Sequence, residues 1–504
     1  MTPESLLLWA LGLPLAGALG VSLCGRWPNV REAVTLTSTV GTFACVLGIL
    51  QYVLAGQAVE LELVEVFVGL PIAFQLEPLG MLYALVASGL WIPTALYGIG
   101  YMRGHGEKNQ TRFFACFALA IFAALGIAFS GNLLTLFLFY ELLTFSTYPL
   151  VTHYGDDEAR KAGRVYLGNL LFTSVAFLLL AVVTTWWMTG TLDFRPGGIL
   201  AGKAEGPMVA ILLGLFAFGA GKAALMPFHR WLPAAMVAPT PVSALLHAVA
   251  IVKAGVFTVL KVVVYIFGID FLTEQGASVW LMYAAAFTLL SASVIALTKT
   301  NLKARLAYST ISQLAYIVLG AALATTAGVT GAALHIPMHA MGKITLFFCA
   351  GAIYVATHKK DIREMDGIGR RMPFTMGAFL IGSLSIIGLP PMGGAWSKWF
   401  LALGAAEAHM SIFIGVLMLS SLLSIGYLMP IVARAFFCRA PETDPDAGSD
   451  EGSDRPPQEP GFWGAVNEAP ALCVIPLCAT ALGTVALFFC VPFFKDLLDL
   501  MVLR

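Results

Sequence analysis

Glu141, Lys222, Lys253, Lys343 and Lys398 lie inside long apolar stretches of the chain. A charge at a bilayer centre costs at least about 2.5–3.5 kcal/mol, so charges there are rarely incidental. Of 29 acidic residues, Glu141 alone sits in the middle of such a stretch; Lys261 is a fifth lysine, near a segment end where snorkelling competes with function. Groups that take up and release charge where water is scarce describe a path for protons or cations. Histidines extend the row. His247 and Lys253 share one stretch, while His335, His339 and Lys343 recur every four residues and so line one helix face. Imidazole titrates near neutrality and an ammonium can give up its proton, which suits both to a relay. His335 and His339 also have the spacing of a two-histidine metal motif, but no carboxylate or cysteine accompanies them, so no metal is assigned.

These groups need membrane helices to hold them. The chain is 59% hydrophobic and 12% charged, far from the roughly 25% charged residues of soluble domains. Its net charge is zero, which gives nucleic acid no purchase. The eight cysteines are scattered without metal-type spacing. Apolar stretches of about 20 residues number fourteen, and helices satisfy their backbone internally in lipid. The first, beginning with acidic Glu4, reads as a membrane span, not a cleaved leader. With both termini outside, twenty basic residues fall in cytoplasmic loops and four in outer ones; the other five are the intramembrane lysines.

Two spans are interrupted. The seventh, 207–237, carries Pro227 and Pro233, and the twelfth, 374–404, carries Pro390, Pro391, Gly393 and Gly394. Proline removes a helix donor and paired glycines permit unwinding. Matched interruptions mark the transport site of an inverted-repeat transporter. Their offset of five spans turns one unit upside down relative to the other. The expected division is 1–101 (helices 1–3), 102–268 (first repeat, helices 4–8), 269–438 (second repeat, helices 9–13), an acidic cytoplasmic loop at 439–467, and 468–504 with the last helix. Glu141 and Lys222 sit halfway along the fifth and seventh spans, where an acid and a base at equal depth couple. Gly221–Lys222 and Gly342–Lys343 lack the Ser/Thr of a P-loop, and no nucleotide, haem or iron–sulfur motif occurs, so the chain is expected to need no cofactor.

The segments KAALMPFHRWLPAAMVAPTPVSALLHAVAIVKAG, KARLAYSTISQLAY, HIPMHAMGKITLFFCAGAI and GLPPMGGAWSKWF, in series, resemble the antiporter-like subunits of respiratory complex I and of Mrp-type multi-subunit cation/proton antiporters. The resemblance covers roughly residues 75–430. It implies an all-α polytopic fold of fourteen helices with two inverted five-helix repeats. It also implies an input pair at Glu141 and Lys222, a central connection at Lys253, a terminal group at Lys398, and His335 and His339 on the eleventh helix. Lys398, where the central complex I subunit usually has glutamate, and the lack of a long lateral helix are similar to the D-type component of the Mrp antiporters. Gln313 stands where several relatives have histidine, which removes one titratable step. The expected activity is proton translocation in a sodium (monovalent cation)/proton antiporter of a bacterial or archaeal inner membrane, beside other membrane subunits. The alternatives are a pumping subunit of complex I or of a membrane-bound hydrogenase, and a non-conducting scaffold, against which the intramembrane charges count.

Overall fold

The computed structural model describes residues 2–57, 59–67, 69–439 and 466–502. Most of the acidic loop expected at 439–467 therefore lies outside the described residues. Among them, eleven helices are long and apolar enough to cross a membrane. These are the first to sixth crossings (Pro3–Leu23, Pro28–Leu54, Pro78–Gly104, Gln110–Ala128, Leu133–Val151 and Asp157–Thr189), the eighth and ninth (Thr240–Phe267, Val279–Thr298), and the eleventh, thirteenth and fourteenth (Thr326–Thr357, Ile412–Phe437, Ala471–Phe489). The tenth, Leu302–Ala322, is as long but more polar. The seventh and twelfth are split, which brings the crossings to the expected fourteen.

Local chemistry sets the helix starts. Asn132, Asp156, Asn301 and Thr325 each accept a backbone N–H of the first turn, and Pro28, Pro78, Pro207 and Pro373 occupy first-turn positions where no donor is needed. The most apolar window of the eighth crossing is wholly buried, whereas in the second, sixth, thirteenth and fourteenth only a third is. The eighth is thus the central post. Tyr83 of the third crossing donates to the Ala250 carbonyl of the eighth at 2.9 Å, and Tyr97 donates to Phe348 of the eleventh at 2.9 Å.

Both interruptions are present. The seventh crossing runs as helix over Pro207–Gly219, tightens to a 3₁₀ turn at Gly221–Ala223, turns through left-handed Ala224, and resumes at Trp231–Ala234. Pro233 thus falls inside the resumed turn and not in the gap. The twelfth runs Pro373–Ile387, passes through Gly388 at φ 90°, and resumes at Gly394–Glu407. Met226–Pro227 and Pro390–Pro391 are both cis.

Three features depart from the sequence expectation. The stretch holding Glu60, Glu62 and Glu65, between the second and third crossings, forms an antiparallel hairpin, β1 (Glu60–Phe67) with β2 (Leu70–Gln75). The chain end carries a separate amphipathic helix, Val491–Val502. The sixth and eighth crossings contain π turns, at Ser174–Leu179, Leu245–Val249 and Val263–Phe267.

Candidate functional site

The break in the seventh crossing turns Lys222 toward the fifth. Its ammonium donates to the Tyr140 carbonyl at 2.8 Å and the Thr144 hydroxyl at 2.7 Å, and lies 3.2 Å from the centre of the Tyr140 ring. The Tyr140 hydroxyl in turn accepts the Lys222 amide at 3.0 Å. Glu141 is the next residue along, yet it makes no ion pair with Lys222: neither carboxylate oxygen has a hydrogen-bond partner among the described residues. Lys222 is fully buried, while Glu141 borders the exposed apolar face of Leu138, Leu142 and Phe145. Glu141 is therefore half-buried, at the edge of the molecule.

The centre is built on the eighth and eleventh crossings. The π turn at Leu245–Val249 widens the helix at His247, whose ring is fully buried and packs against Phe347 at 4.6 Å. Neither of its nitrogens has a hydrogen-bond partner among the described residues. Six residues beyond, fully buried Lys253 meets Nδ1 of His339 across the boundary between the two crossings. His339 stacks on His335 at 5.7 Å, and His335 stacks on Tyr316 at 5.4 Å and bonds the Ser397 hydroxyl at 2.8 Å. Lys343, one turn further, donates to Ser309 Oγ at 2.6 Å.

At the far end Lys398 uses the twelfth-crossing break. The carbonyls of Ile386 and Ile387, released from helical pairing by the turn at Gly388, each accept its ammonium at 2.9 Å, and Ser421 accepts it at 2.9 Å. Lys222 and Lys398 are thus each placed by a helix break and met by carbonyl and hydroxyl oxygens, but only Lys398 draws on carbonyls freed by its own break; Lys222, inside its break, uses the Tyr140 carbonyl of the unbroken fifth crossing.

Lys261 behaves differently from a snorkelling lysine. It is fully buried, pairs with Glu77 at 2.6 Å, donates to the Ser130 carbonyl at 2.7 Å, and lies 4.4 Å from the Phe194 ring centre. Glu77, immediately before the third crossing, is a buried acid outside any span centre, and its one sequence signal is its position beside Pro78. Tyr140, Thr144 and the serines of the thirteenth crossing gave no signal, because hydroxyls are common in membrane helices. No three metal-ligating side chains converge among the described residues. Outside the crossings, His153 is buried beside Arg112, and both effects lower its proton affinity, leaving it a neutral structural ring.

Residues 130–424, from just before Glu141 to Ser424, match the family described as NADH:quinone oxidoreductase/Mrp antiporter, TM. The chain is 34% identical over 418 residues to NADH-quinone oxidoreductase subunit N of Desulforudis audaxviator, covering 80% of each chain. It is 29% identical to a probable K(+)/H(+) antiporter component, of type A/B, from Rhizobium meliloti, over 91% of this chain but only 45% of that one. It also spans about half (49%) of the length of the Synechocystis NAD(P)H-quinone oxidoreductase chain 5. Two solved assemblies share the fold. A chain of the Mrp complex from Dietzia sp. DQ12-45-1b superposes with a TM-score of 0.85 at 22% identity, over all of this chain and 97% of that one. A chain of the archaeal membrane-bound sulfane sulfur reductase gives 0.82 at 22%, over 98% and 97%. With the family match spanning both helix breaks and every buried lysine, this polytopic membrane protein belongs to the NADH:quinone oxidoreductase/Mrp antiporter transmembrane family.

Proposed function

We propose that this chain is the proton-translocating subunit of a multi-subunit monovalent cation/proton antiporter, with sodium as the cation. The observation that carries the reading is the row of cations and imidazoles through the membrane interior: Lys222, Lys253, His339, His335 and half-buried Lys398, met by carbonyls, hydroxyls or one another, with the buried, unpartnered ring of His247 beside them. Glu141, at the edge of the molecule, is the input, and a neighbouring membrane subunit covers the apolar face beside it. A proton arriving near Glu141 weakens its hold on Lys222, which sheds its own proton toward the centre. Lys398 then hands the proton to the outer side. Helices 4–8 and 9–13 act as two inverted units, each with one broken helix and one terminal lysine. The chain sits in the inner membrane of a bacterium or archaeon with both termini outside.

A second reading, a pumping subunit of a redox complex, is favoured by one observation: the quinone oxidoreductase subunit N relative matches over 80% of both chains, whereas less than half of the antiporter relative is covered. One experiment separates the readings. The whole complex is reconstituted in vesicles, and proton and sodium fluxes are measured separately, with and without Lys222→Ala. Antiport predicts that an imposed sodium gradient alone drives proton movement and that the variant loses both fluxes. Proton movement that needs a quinone and an electron donor would establish the second reading; unchanged fluxes in the variant would end both.

A further inference from the structure

The twelfth crossing frees its carbonyls for a reason written in the sequence. In a continuous helix the carbonyls of Ile386 and Ile387 would accept the amides four residues on, but those residues are Pro390 and Pro391, which have no N–H. Gly388 turns the chain out of the helix at φ 90°, so the half-helix Pro373–Ile387 ends on two carbonyls without backbone partners among the described residues. The Lys398 ammonium fills the gap. It lies 2.9 Å from each carbonyl, 2.9 Å from the Ser421 hydroxyl and 4.9 Å from the centre of the Tyr316 ring. No carboxylate joins this set among the described residues. Elsewhere in the crossings Lys222, Lys261 and Lys343 each reach one carbonyl, and Lys253 reaches an imidazole instead.

These groups are what a monovalent cation stripped of water needs. Carbonyl and hydroxyl oxygens replace the water an ion leaves behind, the negative end of a half-helix favours positive charge, and an aromatic face adds to it. The ammonium is such an ion carried on a stem. A divalent ion would bring a second charge that no carboxylate here offsets. Lys398 is half-buried, and Leu389, Pro390 and Pro391 beside it are exposed, so the cage is not sealed inside the protein.

We propose that this cage is a binding site for a monovalent alkali cation, sodium or potassium, which competes for it with the Lys398 ammonium. The ammonium gives its proton to water, the neutral amine withdraws on its flexible stem, and the cation takes the place between the carbonyls of Ile386 and Ile387 and Ser421 Oγ. One positive charge leaves the cage as one enters, so the membrane interior never holds an added charge. Proton delivery at Lys398 and cation uptake then become one event at one site, which an exchanger requires and a one-way proton conductor does not.

The inference gives the antiport reading above, on which it rests, a place for its cation; binding is measured apart from transport so that the two can fail separately. The purified whole complex is titrated calorimetrically with sodium chloride and with potassium chloride, against choline chloride, in two buffers of different ionisation heat so that released protons are counted. In the unaltered complex a cation step is expected that releases about one proton and tightens by up to roughly tenfold per unit rise in pH. Lys398→Ala, which leaves the cage without its tethered ion, should bind the cation with no proton release and no pH dependence. Ser421→Ala removes one oxygen and should weaken the step by roughly tenfold or more. Four results overturn the site: no cation step in the unaltered complex, its loss in an assembled Lys398→Ala complex, proton release of full size in that variant, or unchanged affinity in Ser421→Ala. If the site falls while a sodium gradient still drives proton movement in vesicles, antiport stands and its cation binds elsewhere. If the step behaves as expected but no gradient drives protons, the site stands and the antiport reading falls.

Discussion

At the scale of residues, the lysines inside the crossings divide into two kinds by their partners. Lys222, Lys253 and Lys398 are met by carbonyls, hydroxyls or an imidazole, none of which fixes a charge. Lys261 is met by a carboxylate at 2.6 Å, which does. Removing one partner of a buried ion pair strands the other, at a cost of about 3–5 kcal/mol. Lys261→Ala is therefore expected to lower the melting temperature of the complex, and Lys261→Met with Glu77→Leu to recover most of it with normal transport; a stable but inactive double variant would put this pair on the proton path. Lys222→Arg separates a fixed charge from a relay. Arginine does not release its proton in proteins, so the variant should assemble and be inactive in a proton-flux assay, and an active one would recast Lys222 as a counter-charge only. The lysines were legible in the sequence because a charge within an apolar run has few innocent explanations. Glu77 was not, because a residue at a helix entrance reads as interfacial, and burial there depends on the hairpin and loops folding over it.

At the scale of elements, the breaks place the lysines: the seventh turns Lys222 toward the fifth crossing, and the twelfth offers Lys398 its own freed carbonyls. They are held by close backbone approaches. A Cβ on Gly255 of the eighth crossing would run into the backbone of Lys222 and Ala223, and one on Gly394 into the Ser385 carbonyl. Overpacking of this sort costs about 1–3 kcal/mol. Gly255→Ala is expected to slow transport several-fold and to raise hydrogen exchange over 220–230, where the chain must shift; unchanged exchange would mean the two elements are not coupled. At the other break, residues 388–393 should exchange faster than Pro373–Ile387, and protection equal to that helix would argue against an open exit beside Lys398. Proline and glycine made both breaks readable. The hairpin was not read from the sequence, although ELELVEVF alternates in the manner of a strand, because its charges suggest an open loop. The π turns had no sequence signal: they follow from packing of the eighth crossing in the centre, where His247 needs room that a regular helix does not give.

At the scale of the whole molecule, bilayer thickness made the fourteen crossings countable, since each must be about 20 apolar residues long. Their arrangement around the eighth crossing was not countable, because which apolar face turns inward depends on contacts from distant parts of the chain. That arrangement leaves Lys253, among the described residues, as the buried lysine in hydrogen-bond contact with a histidine of the eleventh crossing. If protons cross the molecule along the row, all of them pass this contact. The decisive measurement is proton flux through the reconstituted complex carrying Lys253→Met, which keeps an unbranched apolar stem close to lysine's in length and removes the titratable amine. The account predicts loss of flux by roughly 100-fold or more, with the complex assembled at its normal level. Flux near that of the unaltered complex would contradict it.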